Sequence, residues 1–359
     1  MVKFGWKASG TTMRPAWHKL GLAVSLAFVP LCFAQEETTI SVDVRLVRLL
    51  ATVKDPAGNP VGTLDKSAFT VKDNGVPQQI AVFEHQTEQP LNIAILIDTS
   101  GSTYKDLKYE TDSVLRFVRA LFREGNSADV AALYSFNSDI VQQNNFTRNA
   151  AAIERSLRLL RGEAGTSLYD AVMLASRDIQ DRPGRRVLVV VTDGGDTTSR
   201  IDFNHAVEAA QLADAVIYPV LVVPIASDAG RNTGGENALT TFAVRTGGRV
   251  FVPTLGAEMD RAFDQILKDL RTQYLLGFYP RDVPLTANRF YALDVSVNPP
   301  SLRVTTRSGY YGEALREGFR PRNSDSAPRI SVAPGDETMR APKKPAPAAK
   351  SKASQKKGQ

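Results

Sequence analysis

Alternating apolar and polar residues between positions 38 and 88 predict β-strands. Asp73-Asn-Gly75 predicts a tight hairpin turn, and Asp55–Pro60 predicts a second turn. The predicted strands are Ile40–Leu46, Leu49–Lys54, Phe69–Lys72 and Gln79–Phe83. We therefore predict an N-terminal β module over residues 35–88, with a structural or recognition role.

From Leu91 onward the pattern changes to strands that alternate with helices. Continuous apolar runs such as Val187–Val191 are typical of strands buried on both faces, and apolar residues spaced by three and four positions predict helices. The predicted strands are Leu91–Ile97, Val130–Phe136, Val187–Thr192, Ala215–Val223 and Val250–Val252, and the predicted helices are Lys105–Phe122, Ala150–Leu160, Leu168–Ile179, Asn204–Leu212, Asn237–Arg245 and Ala257–Thr272. Residues 89–273 are therefore predicted to form an α/β domain, a doubly wound and mostly parallel sheet flanked by helices.

Strands return after Gln273, at Tyr274–Tyr279, Phe290–Val297 and Leu302–Thr306, with a turn at Asn298-Pro-Pro300. Because three strands are too few for a stable domain, we expect residues 274–313 to pair with or pack on residues 35–88, completing a small β-sandwich-like module. Residues 314–359 are rich in Pro, Ala and Lys and predict a disordered basic tail. An alternative is that this tail contacts an anionic surface such as lipid headgroups.

The first 34 residues predict a secretory signal peptide. They contain four Lys or Arg and no acid, an apolar run over Leu20–Val29, and the small residue Ala34, after which we expect cleavage. The apolar run is shorter than the roughly 20 residues that span a bilayer, which disfavours a membrane anchor. Leu31 and Phe33 disfavour lipid modification of Cys32, the single cysteine. We therefore expect a secreted or periplasmic protein without disulfides.

Composition and charge exclude several classes of protein. With 43% hydrophobic and 23% charged residues, the chain is neither collagen-like nor wholly disordered. The net charge of +6 arises in the leader and in the tail, where eleven Lys or Arg face four acids from position 315 onward. The part between them is acidic on balance, so the folded body lacks the basic surface typical of nucleic-acid binding.

Candidate chemistry is concentrated in three loops. Asp98-Thr-Ser-Gly-Ser102 follows a predicted strand, Gly165-Thr-Ser167 precedes a helix, and Thr192-Asp-Gly194 ends another strand. These positions share the carboxyl edge of the sheet, where open α/β sheets bind ligands. Two carboxylates and three hydroxyls suit a hard divalent cation, Mg²⁺ with Mn²⁺ or Ca²⁺ as alternatives. The predicted metal ligands are Asp98, Ser100, Ser102, Thr166 and Asp193.

Each of these elements also has a simpler interpretation. Asp98 or Ser102 could cap the next helix, Thr166 or Ser167 could cap the helix from Leu168, and Asp193 could belong to an ordinary turn. The ordered combination favours a metal site over these alternatives. We interpret three nearby acids as solvated loop or cap residues: Asp139, Asp196 and Asp202.

The sequence Asp98-x-Ser100-x-Ser102, followed by Thr166 and Thr192-Asp193-Gly194, resembles the metal-ion-dependent adhesion site of the von Willebrand factor type A domain. The resemblance covers residues 91–273, and the whole arrangement is similar to a bacterial family of secreted proteins with A-related domains. It implies that both serine hydroxyls ligate the metal directly, that Thr166 does so when a ligand is bound, and that both aspartates act largely through water. It also implies that Thr99 and Gly101 shape the loop, with Gly101 allowing a close backbone approach.

The resemblance further implies a protein partner whose Asp or Glu carboxylate completes the metal coordination. We therefore expect a non-enzymatic, adhesion-type binding protein without catalytic residues. A structural or assembly scaffold of the cell envelope, with a purely stabilising metal, is the alternative, and a metal-dependent hydrolase is a third hypothesis. Asp98-Thr-Ser-Gly-Ser102 also resembles the Asp-Thr-Gly loop of an aspartic hydrolase. That class is disfavoured because its chemistry needs a second such loop, which is absent from the sequence.

Overall fold

The computed structural model describes residues 46–85, 89–103, 106–222, 233–254, 256–284, 286, 290–312, 328 and 330–333. The predicted signal peptide, nearly all of the predicted strand Ile40–Leu46 and most of the tail lie outside these residues. The strands are β1 Val47–Lys54, β2 Phe69–Asp73, β3 Val76–Gln78, β4 Ile80–His85, β5 Leu91–Asp98, β6 Val130–Phe136, β7 Ile140–Thr147, β8 Arg185–Thr192, β9 Ala215–Leu221, β10 Tyr274–Phe278, β11 Phe290–Val297, β12 Arg303–Thr305, β13 Gly309–Tyr311 and β14 Ile330–Val332. The helices are α1 Leu107–Glu124, α2 Ala150–Leu159, α3 Leu168–Ile179, α4 Phe203–Leu212, α5 Thr233–Thr246 and α6 Ala257–Arg271.

The β module consists of two four-stranded sheets, with strand orders β12-β1-β10-β4 and β13-β11-β2-β3. Strands from both ends of the chain therefore share each sheet, as predicted, and β1 pairs antiparallel with β10. The predicted hairpin turn joins β2 to β3, where Asn74 and Gly75 have φ values of 46° and 82°. Two consecutive positive φ angles match the twist of the flanking strands, which is why Asn-Gly is favoured there.

The α/β domain contains a six-stranded sheet of order β14-β7-β6-β5-β8-β9. Strands β6, β5, β8 and β9 run parallel, and every residue of the central β5 is buried. Apolar residues of α1, α2 and α6 pack on one face, and those of α3, α4 and α5 pack on the other. The predicted fold class, an α/β sheet flanked by helices together with antiparallel β sheets, is confirmed.

Three strand predictions need correction, and the short strands β3 and β13 were also not predicted. Val250–Val252 is not a strand, because only Phe251 forms an isolated bridge, to Val220. The sequence analysis missed β7, whose residues Gln142–Asn145 interrupt the apolar pattern and which forms an antiparallel hairpin with β6. Residues 330–332, predicted to be disordered with the tail, form β14 and pair parallel with β7. The exposed backbone edge of β7 supplies the hydrogen-bonding groups for this pairing.

The last helix connects the α/β domain directly to the β module. α6 ends at Arg271, and β10 begins at Tyr274. The buried Asp269 carboxylate accepts hydrogen bonds from Lys54 Nζ of β1 at 2.9 Å and from Arg249 Nε at 3.0 Å. Among the residues described here, no helix has both the length and the apolar character needed to cross a membrane.

Candidate metal site

Asp98 lies at the carboxyl end of β5 and is completely buried. Its Oδ1 accepts a hydrogen bond from the Ser100 backbone N–H at 2.8 Å, and its Oδ2 accepts one from the Thr192 hydroxyl at 2.6 Å. The Asp98 carbonyl oxygen accepts a further bond from the Thr103 hydroxyl at 2.9 Å. Because Thr192 ends the neighbouring strand β8, the parallel pairing of β5 and β8 fixes the orientation of the Asp98 carboxylate.

The hydroxyl groups of the two serines in the first loop lie close together. The Ser100 and Ser102 hydroxyl oxygens lie 3.1 Å apart, with Ser100 buried and Ser102 exposed. The close backbone approach expected at Gly101, which separates them, is not seen with any described residue. Among the described residues, no atom lies within 4 Å of the position that a Cβ would occupy there, and its φ is not positive. This loop therefore places two hydroxyls together without a steric requirement for glycine.

The loop that carries Thr166 is attached to both neighbouring loops. Glu163 forms a parallel bridge with Ser100, and its N–H donates to the Thr99 carbonyl at 2.9 Å. The Thr166 N–H donates to the Thr197 hydroxyl at 3.0 Å, and the Thr166 carbonyl accepts the Thr197 N–H at 2.8 Å. The buried Thr166 is thus held between the loop after β5 and the loop after β8.

Asp193 follows the last residue of β8 and is half-buried. Its Oδ1 accepts the Gly195 N–H at 3.0 Å, and the Gly194 N–H donates to the Thr192 hydroxyl at 3.0 Å. Gly194 has a φ of +85°, and a Cβ there would lie 3.0 Å from the backbone carbon of Gly235 in α5. Glycine is required at this position because the backbone conformation and the neighbouring helix both exclude a side chain.

The capping alternatives fail for most of these residues. The N-cap of α1 is Asp106, so neither Asp98 nor Ser102 caps that helix. Ser167 occupies the N-cap position of α3 but makes no side-chain capping bond, and its hydroxyl lies 2.7 Å from that of Thr198. The Asp193 carboxylate does accept a bond from its own loop, as in an ordinary turn.

The three acids near the site differ in role. Asp139 is exposed, as predicted. Asp202 caps α4, where its Oδ1 accepts the His205 N–H at 3.1 Å. Asp196, predicted to be solvated or a cap, is half-buried and accepts hydrogen bonds from the Tyr169 N–H in the first turn of α3 at 3.1 Å and from the Ser199 hydroxyl at 2.6 Å. It holds the loop after β8 against the first turn of α3.

The site is electronegative. Burial raises the pKa of Asp98 to about 6, and the negative charge of Asp193 acts in the same direction, while hydrogen bonds from Thr192 and Ser100 oppose the rise. Within the described ranges, no Lys, Arg or His forms an ion pair with Asp98 or Asp193. A divalent cation would supply the missing positive charge, so the donor set fits such an ion.

The hydroxyls are essential to any cation site here. Throughout the part of the chain that the structure describes, no three His, Cys, Asp or Glu side chains are grouped so that they could hold a metal ion. An ion at this edge would therefore need the oxygens of Ser100, Ser102 and Thr166 together with the two aspartates. Hydroxyl ligands suit Mg²⁺, which prefers hard oxygen donors.

Two residues that shape the site were not predicted from the sequence. Thr192 belongs to the motif but was not assigned a role, and its hydroxyl joins Asp98 to the Gly194 N–H. Glu110 lies on α1 and is completely buried, between Leu107 and Val114 on the apolar face. An acid at a helical spacing of three and four from apolar residues was the available signal for Glu110.

Comparison with known proteins supports the class of the domain. Residues 93–195 match the family described as von Willebrand factor type A domain. The matched residues run from β5 to the loop after β8 and are similar to this domain family. No curated protein matches the chain.

Several solved bacterial structures are similar to about half of the chain. The vWF domain of the type V pili tip protein Mfa5 from Porphyromonas gingivalis is 16% identical, with a TM-score of 0.42, over 50% of this chain and 94% of that one. The conserved hypothetical protein BatB from Bacteroides thetaiotaomicron is 19% identical, with a TM-score of 0.40, over 50% and 98%. The PilB minor pilin from Streptococcus sanguinis is 13% identical, with a TM-score of 0.41, over 52% and 62%. What this chain does therefore has to be argued from its own site.

Proposed function

We propose that this protein is a non-enzymatic, adhesion-type binding protein. Its α/β domain holds a divalent cation, Mg²⁺ or alternatively Mn²⁺ or Ca²⁺, and captures an Asp or Glu carboxylate of a protein partner through that cation. The proposed ligands are Asp98, Ser100, Ser102, Thr166 and Asp193. The observation that carries the proposal is that the loops of these residues are joined at one sheet edge, where the acids have no described basic partner.

The exposure of the donors favours capture of a partner over a purely stabilising ion. Asp98, Ser100 and Thr166 are buried and form the floor of the site, whereas Ser102 is exposed and Asp193 is half-buried. A cation held by these residues would have one side towards solvent. Because a dication with few direct charged ligands attracts a further anion, an external carboxylate would bind on that side.

A hydrolytic role has less support. The described histidines, His85 and His205, lie on β4 and α4 and not in the three site loops. The Asp98 carboxylate is engaged by Ser100 and Thr192 and is buried, so it is poorly placed to take a proton from a substrate. The leader sequence supports a secreted or periplasmic location, where a protein partner of the cell envelope would be met.

The test is calorimetric titration of Mg²⁺, Mn²⁺ and Ca²⁺ into the full chain, with and without acetate as the carboxylate probe. We expect saturable binding at one site in the wild type, and tighter binding in acetate because the cation and the carboxylate bind cooperatively. Asp98→Ala and Thr166→Ala should lose this binding. Asp139→Ala, which removes an exposed acid from the loop after β6, should keep it and is the matched control.

The outcomes separate the hypotheses. Absence of cation binding in the wild type, even with acetate, would refute the proposal. Binding that acetate does not strengthen, combined with a large fall in melting temperature of Asp98→Ala, would favour the stabilising scaffold. Chelator-sensitive turnover of an ester or peptide would favour the hydrolase.

A further inference from the structure

A buried acid of α1 has no role in the five-residue site. The Glu110 side chain is completely inaccessible to solvent, and neither of its carboxylate oxygens has a hydrogen-bond partner among the described residues. Buried carboxylates in proteins are normally paired with a base or saturated with hydrogen bonds. Burial of the Glu110 carboxyl group therefore has a free-energy cost that no hydrogen bond from the described residues offsets.

Glu110 lies near the sheet edge that carries the proposed ligands, because α1 follows the loop at the carboxyl end of β5. It lies in the first turn of α1, the helix that follows the Asp98–Ser102 loop. Burial raises its pKa well above the usual value, and the charges of Asp98, Asp106 and Asp193 raise it further. Two of these three acids belong to the candidate metal site, so the Glu110 carboxyl group lies within electrostatic range of that site.

An ordinary structural role explains these observations poorly. Residues around Glu110 on the same face of α1 are apolar, including Leu107, Val114 and Phe117, and an apolar side chain would fit this face. The positive end of the helix dipole favours an acid in the first turn, but exposed positions serve that purpose without burial. A buried acid that is repelled by the charges of other acids is destabilising unless a cation or a water molecule is bound nearby.

We infer that Glu110 is an additional acidic residue of the cation site, and that its carboxylate accepts a hydrogen bond from a water molecule bound to the cation. This inference rests on the proposed function. Contact through water agrees with the absence, among the described Asp, Glu, His and Cys residues, of a group of three that could hold a metal directly. Such a water would satisfy the unpaired oxygens of Glu110, as buried waters commonly do.

The role has a measurable consequence. Removing a residue that hydrogen-bonds to a metal ligand or to a metal-bound water typically lowers metal affinity by about 10- to 100-fold. Glu110→Gln keeps the size of the side chain and removes the charge. We therefore expect Mg²⁺ to bind Glu110→Gln at least about tenfold more weakly than the wild type.

The experiment is Mg²⁺ titration by calorimetry of the full chain, with circular dichroism to verify the fold of each variant. Asp73→Asn is the matched control, because Asp73 is also a completely buried acid with an unpaired oxygen and a raised pKa, but lies on β2 in the β module. Its Mg²⁺ affinity should equal that of the wild type. Should Glu110→Gln not fold, Glu110→Asp, which withdraws the carboxylate by one methylene, is measured against the same tenfold criterion.

Unchanged Mg²⁺ affinity in Glu110→Gln, with binding lost in Asp98→Ala, would overturn this inference and leave the proposed function intact. Absence of Mg²⁺, Mn²⁺ and Ca²⁺ binding in the wild type, even with acetate, would overturn both. An equal loss of affinity in Asp73→Asn would also overturn the inference, because the effect would then be common to buried acids in general.

Discussion

The contact between α6 and the β module should contribute strongly to stability. Asp269 is 1% exposed and accepts hydrogen bonds from Lys54 Nζ at 2.9 Å, Arg249 Nε at 3.0 Å and Gln265 Nε2 at 3.2 Å. Lys54 is largely buried, and burial lowers its pKa, an effect that the bond and charge of Asp269 oppose. Asp269→Asn keeps the shape of the side chain but leaves two cations without a counter-charge.

Removing one partner of a buried ion pair costs about 3–5 kcal/mol, and we expect about 3 kcal/mol here because Arg249 remains partly exposed. For a folded unit of this size, each kcal/mol corresponds to about 2–4 °C, so the melting temperature should fall by about 6–12 °C. Differential scanning calorimetry measures the melting temperature, and urea titration measures the free energy of unfolding.

Asp260→Asn is the matched control on the same helix. Its carboxylate pairs with Arg116 at 2.8 Å, but both side chains are at least 36% exposed. Exposed ion pairs contribute about 0–1 kcal/mol. If Asp269→Asn were as stable as Asp260→Asn, the buried Lys54–Asp269–Arg249 cluster would not contribute to the stability of the protein. That result would refute the prediction.

Two further predictions concern a site glycine and a buried acid of the β module. Gly194→Ala should lower the free energy of unfolding by about 1–3 kcal/mol in urea titration, because its φ is +85° and its Cβ would lie 3.0 Å from Gly235. Gly58→Ala, with a φ of +87° and no described atom within 4 Å, should lower it less. Equal losses would contradict the role of the Gly235 contact. Burial raises the pKa of Asp73, so ionisation of Asp73 opposes folding and stability is lost as the pH rises through its folded pKa. The free energy of unfolding of Asp73→Asn, relative to the wild type, should therefore increase from pH 3 to pH 7, and a pH-independent difference would contradict this prediction.

Most elements of the fold could be predicted because their signals are local. The apolar runs at Leu91–Ile97 and Val130–Phe136 correspond to β5 and β6, and the helical periodicity at Leu168–Ile179 corresponds to α3. The Asn-Gly turn required two positive φ angles, which few other residue pairs adopt. Residue type and spacing were sufficient in these cases, since each structure depends on near neighbours in the chain.

Elements with weak local signals were missed. The strand β7 contains four consecutive amides from Gln142 to Asn145 and is stabilised by pairing with β6, not by its own pattern. β14 has three residues and pairs with β7, which offers it an open strand edge. Pairing decided both strands, between neighbours in the chain for β6 and β7 and between distant segments for β7 and β14, and the residue pattern of one strand does not reveal such pairing.

The same distinction applies to the candidate site. The sequence by itself determined which oxygen donors are present and that Asp98, Thr166 and Asp193 fall at the ends of strands and helices. The tertiary structure decided that the Thr192 hydroxyl orients Asp98, and that Glu110 has no hydrogen-bond partner on the buried face of α1. Donor type is a property of each residue, whereas burial and pairing depend on which surfaces meet when strands and helices pack, so only the folded chain specifies them.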